Sequence, residues 1–94
     1  MSESIISNAY QCVVCGRQDN LHRHHIYGGT GRRKISEKYG CWCYLCPAHH
    51  NMSDAGVHFN RDLDRKLKTA CQIAWESRFG DRAEFIKKFG RSYL

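Results

Sequence analysis

Cys12-Val-Val-Cys15 and Cys46-Pro-Ala-His49 repeat one spacing, two metal-binding donors separated by two residues, and the second pair begins 31 positions after Cys15. That spacing lets two side chains reach one tetrahedral ion from a tight turn, and Gly16 supplies permissive backbone directly after the first pair. Three cysteines and one histidine are a donor set suited to structural Zn2+. The competing reading, buried thiols with an incidental histidine, leaves the doubled spacing unexplained. Cys41, Cys43 and Cys71 lack partners at ligand spacing and are expected to be small core residues.

With those four ligands assigned, His24-His25 and His50 remain in tight positions, with His22 and His58 nearby. Imidazoles suit two chemical tasks. One, with an ordinary pKa near 6.5, takes a proton from water around neutral pH. Several neutral ones hold a divalent ion that acts as a Lewis acid. His22 fits no motif and is expected to face the loop or nucleic acid from a strand.

These side chains need elements to place them. Leu21 to Tyr27 reads as a strand, as does the aromatic run Cys41-Trp42-Cys43-Tyr44-Leu45 ending at Cys46. Pro47 suits the first position of a helix. Strict strand alternation sends His24 and His25 to opposite faces, so both serve one site only if the strand ends or twists there, which the glycines from Gly28 allow. The run Gly28-Gly29-Thr30-Gly31-Arg32-Arg33-Lys34 reads as a loop whose three cations contact phosphates without reading sequence. A merely solvated loop is the alternative. Asn60 is expected to cap a helix of about 18 residues with Leu63, Leu67, Ala70, Cys71 and Ala74 on its apolar stripe. Asp81 and Glu84 then open a last helix carrying Ala83, Phe85, Ile86 and Phe89, stopped by Gly90. Residues 1–9 are polar and aperiodic, a flexible lead-in.

Ninety-four residues allow one domain, and a core this small often needs a staple. Fifteen Lys and Arg against nine Asp and Glu give +6, which favours a polyanionic partner. No apolar run approaches a membrane span, and the start MSESIISNAY lacks the features of a signal peptide. The expectation is a soluble cytosolic chain with no membrane partner, in which paired cysteines bind metal rather than each other.

The Cys12-Val13-Val14-Cys15 knuckle, His24-His25-Ile26 at a strand end, the Gly28 to Lys34 loop, Leu45-Cys46-Pro47-Ala48-His49-His50 opening a helix, and Gly56-Val57-His58 together resemble the HNH (ββα-metal) endonuclease family. Within it they are most similar to the recombination-enhancement, RecA-dependent nuclease type of phages. The resemblance covers Cys12 to about His58. It implies a small α+β fold with a zinc-stapled ββα-metal core at about 10–58 and a helical C-terminal extension at about 60–94, forming one nuclease domain over 10–94. It further implies metal-dependent hydrolysis of DNA phosphodiester bonds in a bacterial or phage cytoplasmic setting. His25 would be the general base, and His24, His50 and His58 ligands of a catalytic divalent metal (Mg2+, Mn2+, Ni2+ or Zn2+). Cys12, Cys15, Cys46 and His49 would hold structural Zn2+, while Arg32, Arg33 and Lys34 would contact DNA. The chain departs from the family at the middle Asn, near whose place Cys41 stands. So small a domain is expected to need a second copy or a partner protein to hold duplex DNA. The alternative is a zinc-knuckle nucleic-acid-binding module without catalysis. An adaptor binding protein through Trp42, Tyr44 and Trp75 has less to support it, because such aromatics suit a small core.

Overall fold

A basic segment and an aromatic-rich one pair into an antiparallel sheet, β1 (His22–His25) and β2 (Trp42–Leu45). The structure, a computed structural model, describes residues 3–28, 31–50, 56 and 60–94. It is a small α+β fold in the order β1, α1 (Arg32–Tyr39), β2, α2 (Pro47–His50), α3 (Arg61–Arg78), α4 (Arg82–Phe89).

The ladder sets His22 opposite Leu45, Arg23 opposite Tyr44, His24 opposite Cys43 and His25 opposite Trp42. Residues paired across a ladder share a face, so His22 and His24 lie with Cys43 and Leu45, both fully buried. Arg23 and His25 project from the other face, with Trp42 and Tyr44. The helix α2 packs against both strands, bringing His50 to the His22 and His24 side.

Two elements differ from expectation. The stretch read as a loop through Lys34 turns helical at Arg32, after Gly31 in the left-handed region (φ 83°). Its first turn has no acidic residue and carries three cations against the positive end of the helix dipole, which hid it behind the glycines. What holds α1 is tertiary: buried Ser36 donates from Oγ to the Tyr27 carbonyl (2.8 Å) and accepts from the Tyr27 N–H (3.2 Å).

The segment expected to be a flexible lead-in is docked through residues 4–6. Ser4 is buried and its hydroxyl donates to the Trp42 carbonyl at 2.6 Å, the Ile5 N–H donates to the Gly40 carbonyl at 3.0 Å, and Ile5 and Ile6 pack on the core. Gly40 is left-handed (φ 74°), and a Cβ there would overlap the Glu3 carbonyl. Two adjacent isoleucines outweigh the polar composition around them.

The helical half follows its sequence signals. The Asn60 side chain caps α3 by accepting from the Leu63 N–H at 3.1 Å, and Asp81 caps α4 through the Glu84 N–H at 2.9 Å. Leu67, Cys71 and Trp75 form the buried stripe of α3, whereas Ala70 is exposed. Phe85 and Phe89 of α4 stack at 4.6 Å and meet Tyr27, whose hydroxyl donates to the Lys68 carbonyl at 2.6 Å. Gln72, fully buried, is satisfied by donating to Glu76 (2.7 Å) and Ser92 (3.0 Å) and by accepting from the Tyr93 N–H (2.6 Å), which ties down the C-terminal tail. Loss of the α3 cap in Asn60→Ala is expected to cost about 1 kcal/mol. The denaturation midpoint should fall with an unchanged m-value; an unmoved midpoint would show that the cap contributes nothing.

Candidate metal centres

The knuckle residues form a tight turn, with the Gly16 N–H bonded to the Cys12 carbonyl (2.8 Å) and the Cys12 N–H to the Arg17 carbonyl (2.7 Å). The Val13 N–H reaches the Tyr44 carbonyl at 3.0 Å, fixing this turn to β2. At the end of β2 the Cys46 carbonyl accepts from the N–H groups of His49 (3.1 Å) and His50 (2.9 Å), so α2 begins as a rigid extension of the strand.

Cys12, Cys15, Cys46 and His49 consequently converge, one ligand atom from each lying within 4.8 Å of all the others. Among the described residues this set closes so tightly. The measured edges are 3.7 Å from Cys15 Sγ to Cys46 Sγ, 3.8 Å from Cys12 Sγ to His49 Nδ1 and 3.3 Å from Cys46 Sγ to His49 Nδ1. A tetrahedral ion with Zn–S near 2.3 Å and Zn–N near 2.0–2.1 Å demands edges of about 3.8 Å and about 3.6 Å. The cluster can hold a structural metal such as zinc.

Thiol chemistry separates ligands from core. Burial pushes the Cys12 thiol up, but N–H groups of Cys46, Cys15 and Val14 outweigh it and bring the thiol down to about 6. The Arg17 N–H lowers Cys15, yet partial desolvation and the neighbouring thiols of Cys12 and Cys46 hold it above the usual range. Three thiolates so close repel one another, and a dication relieves that repulsion. Burial pushes Cys43 up to about 12, while the Cys41 hydrogen bond and then burial raise Cys71. Cys41, Cys43 and Cys71 are wholly buried, the core role expected of them.

The remaining histidines divide between the faces of β1. His24, buried, and His50 of α2 have ring centroids 5.4 Å apart. His22 joins them, 5.0 Å from His50 by centroid, with 2.9 Å between the two Nδ1 atoms. His25 does not: its Nε2 lies 2.8 Å from Glu37 Oε2 on the opposite side, and Glu37 also accepts from Arg23, whose guanidinium sits 3.8 Å over the Trp42 ring. A carboxylate only accepts, so His25 Nε2 carries the proton and Nδ1 is the basic nitrogen of the neutral ring. The strand therefore keeps its alternation through His25, and the twist needed to bring His24 and His25 to one side is absent from β1. His58 lies outside the described residues.

Arg32, Arg33 and Lys34 are exposed on the first turn of α1 rather than on a loop. The Arg32 guanidinium lies where a Cβ of Gly90 would be, at the C-cap of α4, a place where a cation complements the helix dipole. One residue of this neighbourhood escaped the sequence reading, Glu37, which lay within the unforeseen α1. His22, expected to face the loop or nucleic acid, stands instead beside His50, on the face it shares with His24 through the two-residue period. Among the described residues no helix is long and apolar enough to cross a membrane. No family model, curated protein or solved structure matches the chain.

Proposed function

We propose that this protein is a metal-dependent endonuclease of the HNH type that hydrolyses DNA phosphodiester bonds. The observation that carries the reading is the meeting of His24 on β1 with His50 on α2, beside a separate cluster able to staple the fold. In this reading Cys12, Cys15, Cys46 and His49 bind structural Zn2+ and make the two strands and α2 a ββα core. His24 and His50, with His58 as the family pattern has it, hold a divalent ion. When bound, such an ion supplies Lewis acidity to a phosphate oxygen and the leaving 3′ oxygen.

The chain's own residues do the rest. His25 takes the proton of the attacking water on Nδ1 while Glu37 fixes its ring through Nε2. His24 and His25 leave β1 on opposite faces and β1 ends at His25, so a single phosphate would meet both around that end of the strand. Arg33 and Lys34 stand exposed where the helix dipole disfavours cations, a placement that phosphate contacts would compensate. A second copy or a partner protein completes the grip on duplex DNA.

The separation of His25 from His24 favours a second reading, a zinc-stapled module that binds nucleic acid without cutting it. Supercoiled plasmid incubated with the protein and Mg2+, Mn2+, Ni2+ or Zn2+ distinguishes them. Nicked or linear DNA in at least one metal, and none in EDTA, is expected. Intact plasmid in every metal, with zinc bound and DNA retained, would leave the binding module standing.

A further inference from the structure

The nuclease reading gives His22 no task, yet its Nδ1 lies 2.9 Å from Nδ1 of His50. His22 and His24 are two residues apart on one strand and so share a face, whereas the adjacent pair His24-His25 cannot. Over that face α2 carries His50, held in place by the hydrogen bond from its N–H to the Cys46 carbonyl and adjacent to the cluster ligand His49. Three imidazoles from two anchored elements thus gather at one end of the sheet, with centroid separations from His50 of 5.0 Å and 5.4 Å.

We propose that His22 is a further ligand of the catalytic divalent ion, joining His24 and His50 in a three-imidazole set, to which the His58 of the family pattern would add, that takes a borderline transition metal. This inference rests on the nuclease reading for the existence of that ion. The 2.9 Å between His22 Nδ1 and His50 Nδ1 matches the edge of about 3.0 Å between neighbouring ligands of a six-coordinate ion with bonds near 2.1 Å. A tetrahedral ion would need about 3.4 Å. His24 stands farther off, its ring centroid 5.4 Å from that of His50, so its ring must turn toward the pair to join the same ion. Imidazole nitrogen suits Mn2+, Co2+, Ni2+ and Zn2+ and is a poor exchange for water on Mg2+, so the site selects against Mg2+.

The test is calorimetric titration of Ni2+ into full-length protein whose cysteine cluster is saturated with Zn2+, with zinc content checked afterwards. Wild type is expected to take one Ni2+ per chain. His22→Ala should weaken uptake at least tenfold, as His24→Ala and His50→Ala do, while His25→Ala on the other face leaves it unchanged. His22→Asp, which restores a ligand of oxygen type, should recover binding and shift preference toward Mn2+. Full Ni2+ affinity in a folded His22→Ala would overturn the role of His22 and leave the nuclease reading intact. No Ni2+ uptake by wild type would instead overturn the metal centre of that reading.

Discussion

Serine in place of Cys46 is expected to unfold the chain rather than weaken it by degrees. Cys46 is buried, its Sγ lies within 3.7 Å of one other ligand atom and 3.3 Å of a second, and its carbonyl starts α2. Structural zinc in small domains contributes about 10–16 kcal/mol of apparent binding free energy, as much as or more than the net stability of about 5–15 kcal/mol that a domain has in total. The variant, or wild type treated with a strong chelator, should lose near-ultraviolet dichroism and amide dispersion along with about one zinc per chain. Cys43→Ser is the control: equally buried but outside the cluster, it should cost about 1–3 kcal/mol for an unsatisfied hydroxyl and stay folded with its zinc. A folded, zinc-free Cys46→Ser with an unchanged melting temperature would remove the staple from the account.

The second large effect concerns the other face of β1. His25→Ala is expected to slow plasmid cleavage by about 10²–10⁴-fold, the usual worth of a positioned general base, without loss of either metal. Glu37→Ala, which frees the ring but leaves the imidazole, should cost about ten- to a hundredfold, the range seen when a partner orienting a histidine is removed. The two together should cost no more than His25→Ala alone, because Glu37 acts through His25. Cleavage by His25→Ala at the wild-type rate would move the proton acceptor elsewhere, and the natural successor would be an imidazole on the His24 face.

Local signals were legible where the structure rests on local physics. Asn60, Asp81 and Gly90 mark helix ends because caps are made by the residues themselves, and the doubled two-residue spacing marks the cysteine cluster because turn geometry brings its donors together. What was hidden depends on distant partners. Ser36 secures α1 only through Tyr27, and Ser4 is buried only because Trp42 and Gly40 offer carbonyls to it and to Ile5. Glu37 could not be paired with His25 before α1 was known, since 12 residues separate them. The faces of β1 were readable from alternation, which sets His24 and His25 on opposite sides.

Gly40 makes the amino-terminal segment a latch. Any larger residue at this position would be driven against the Glu3 carbonyl, and relief would come by prising residues 3–6 off the strand. That would uncover the carbonyls of Gly40, just before β2, and of Trp42, its first residue, in a strand that leads into Cys46. A substitution remote from every histidine could therefore loosen the metal-binding end of β2 by opening the far end first, so that a mutational screen for lost metal binding would return Gly40 alongside the ligands themselves.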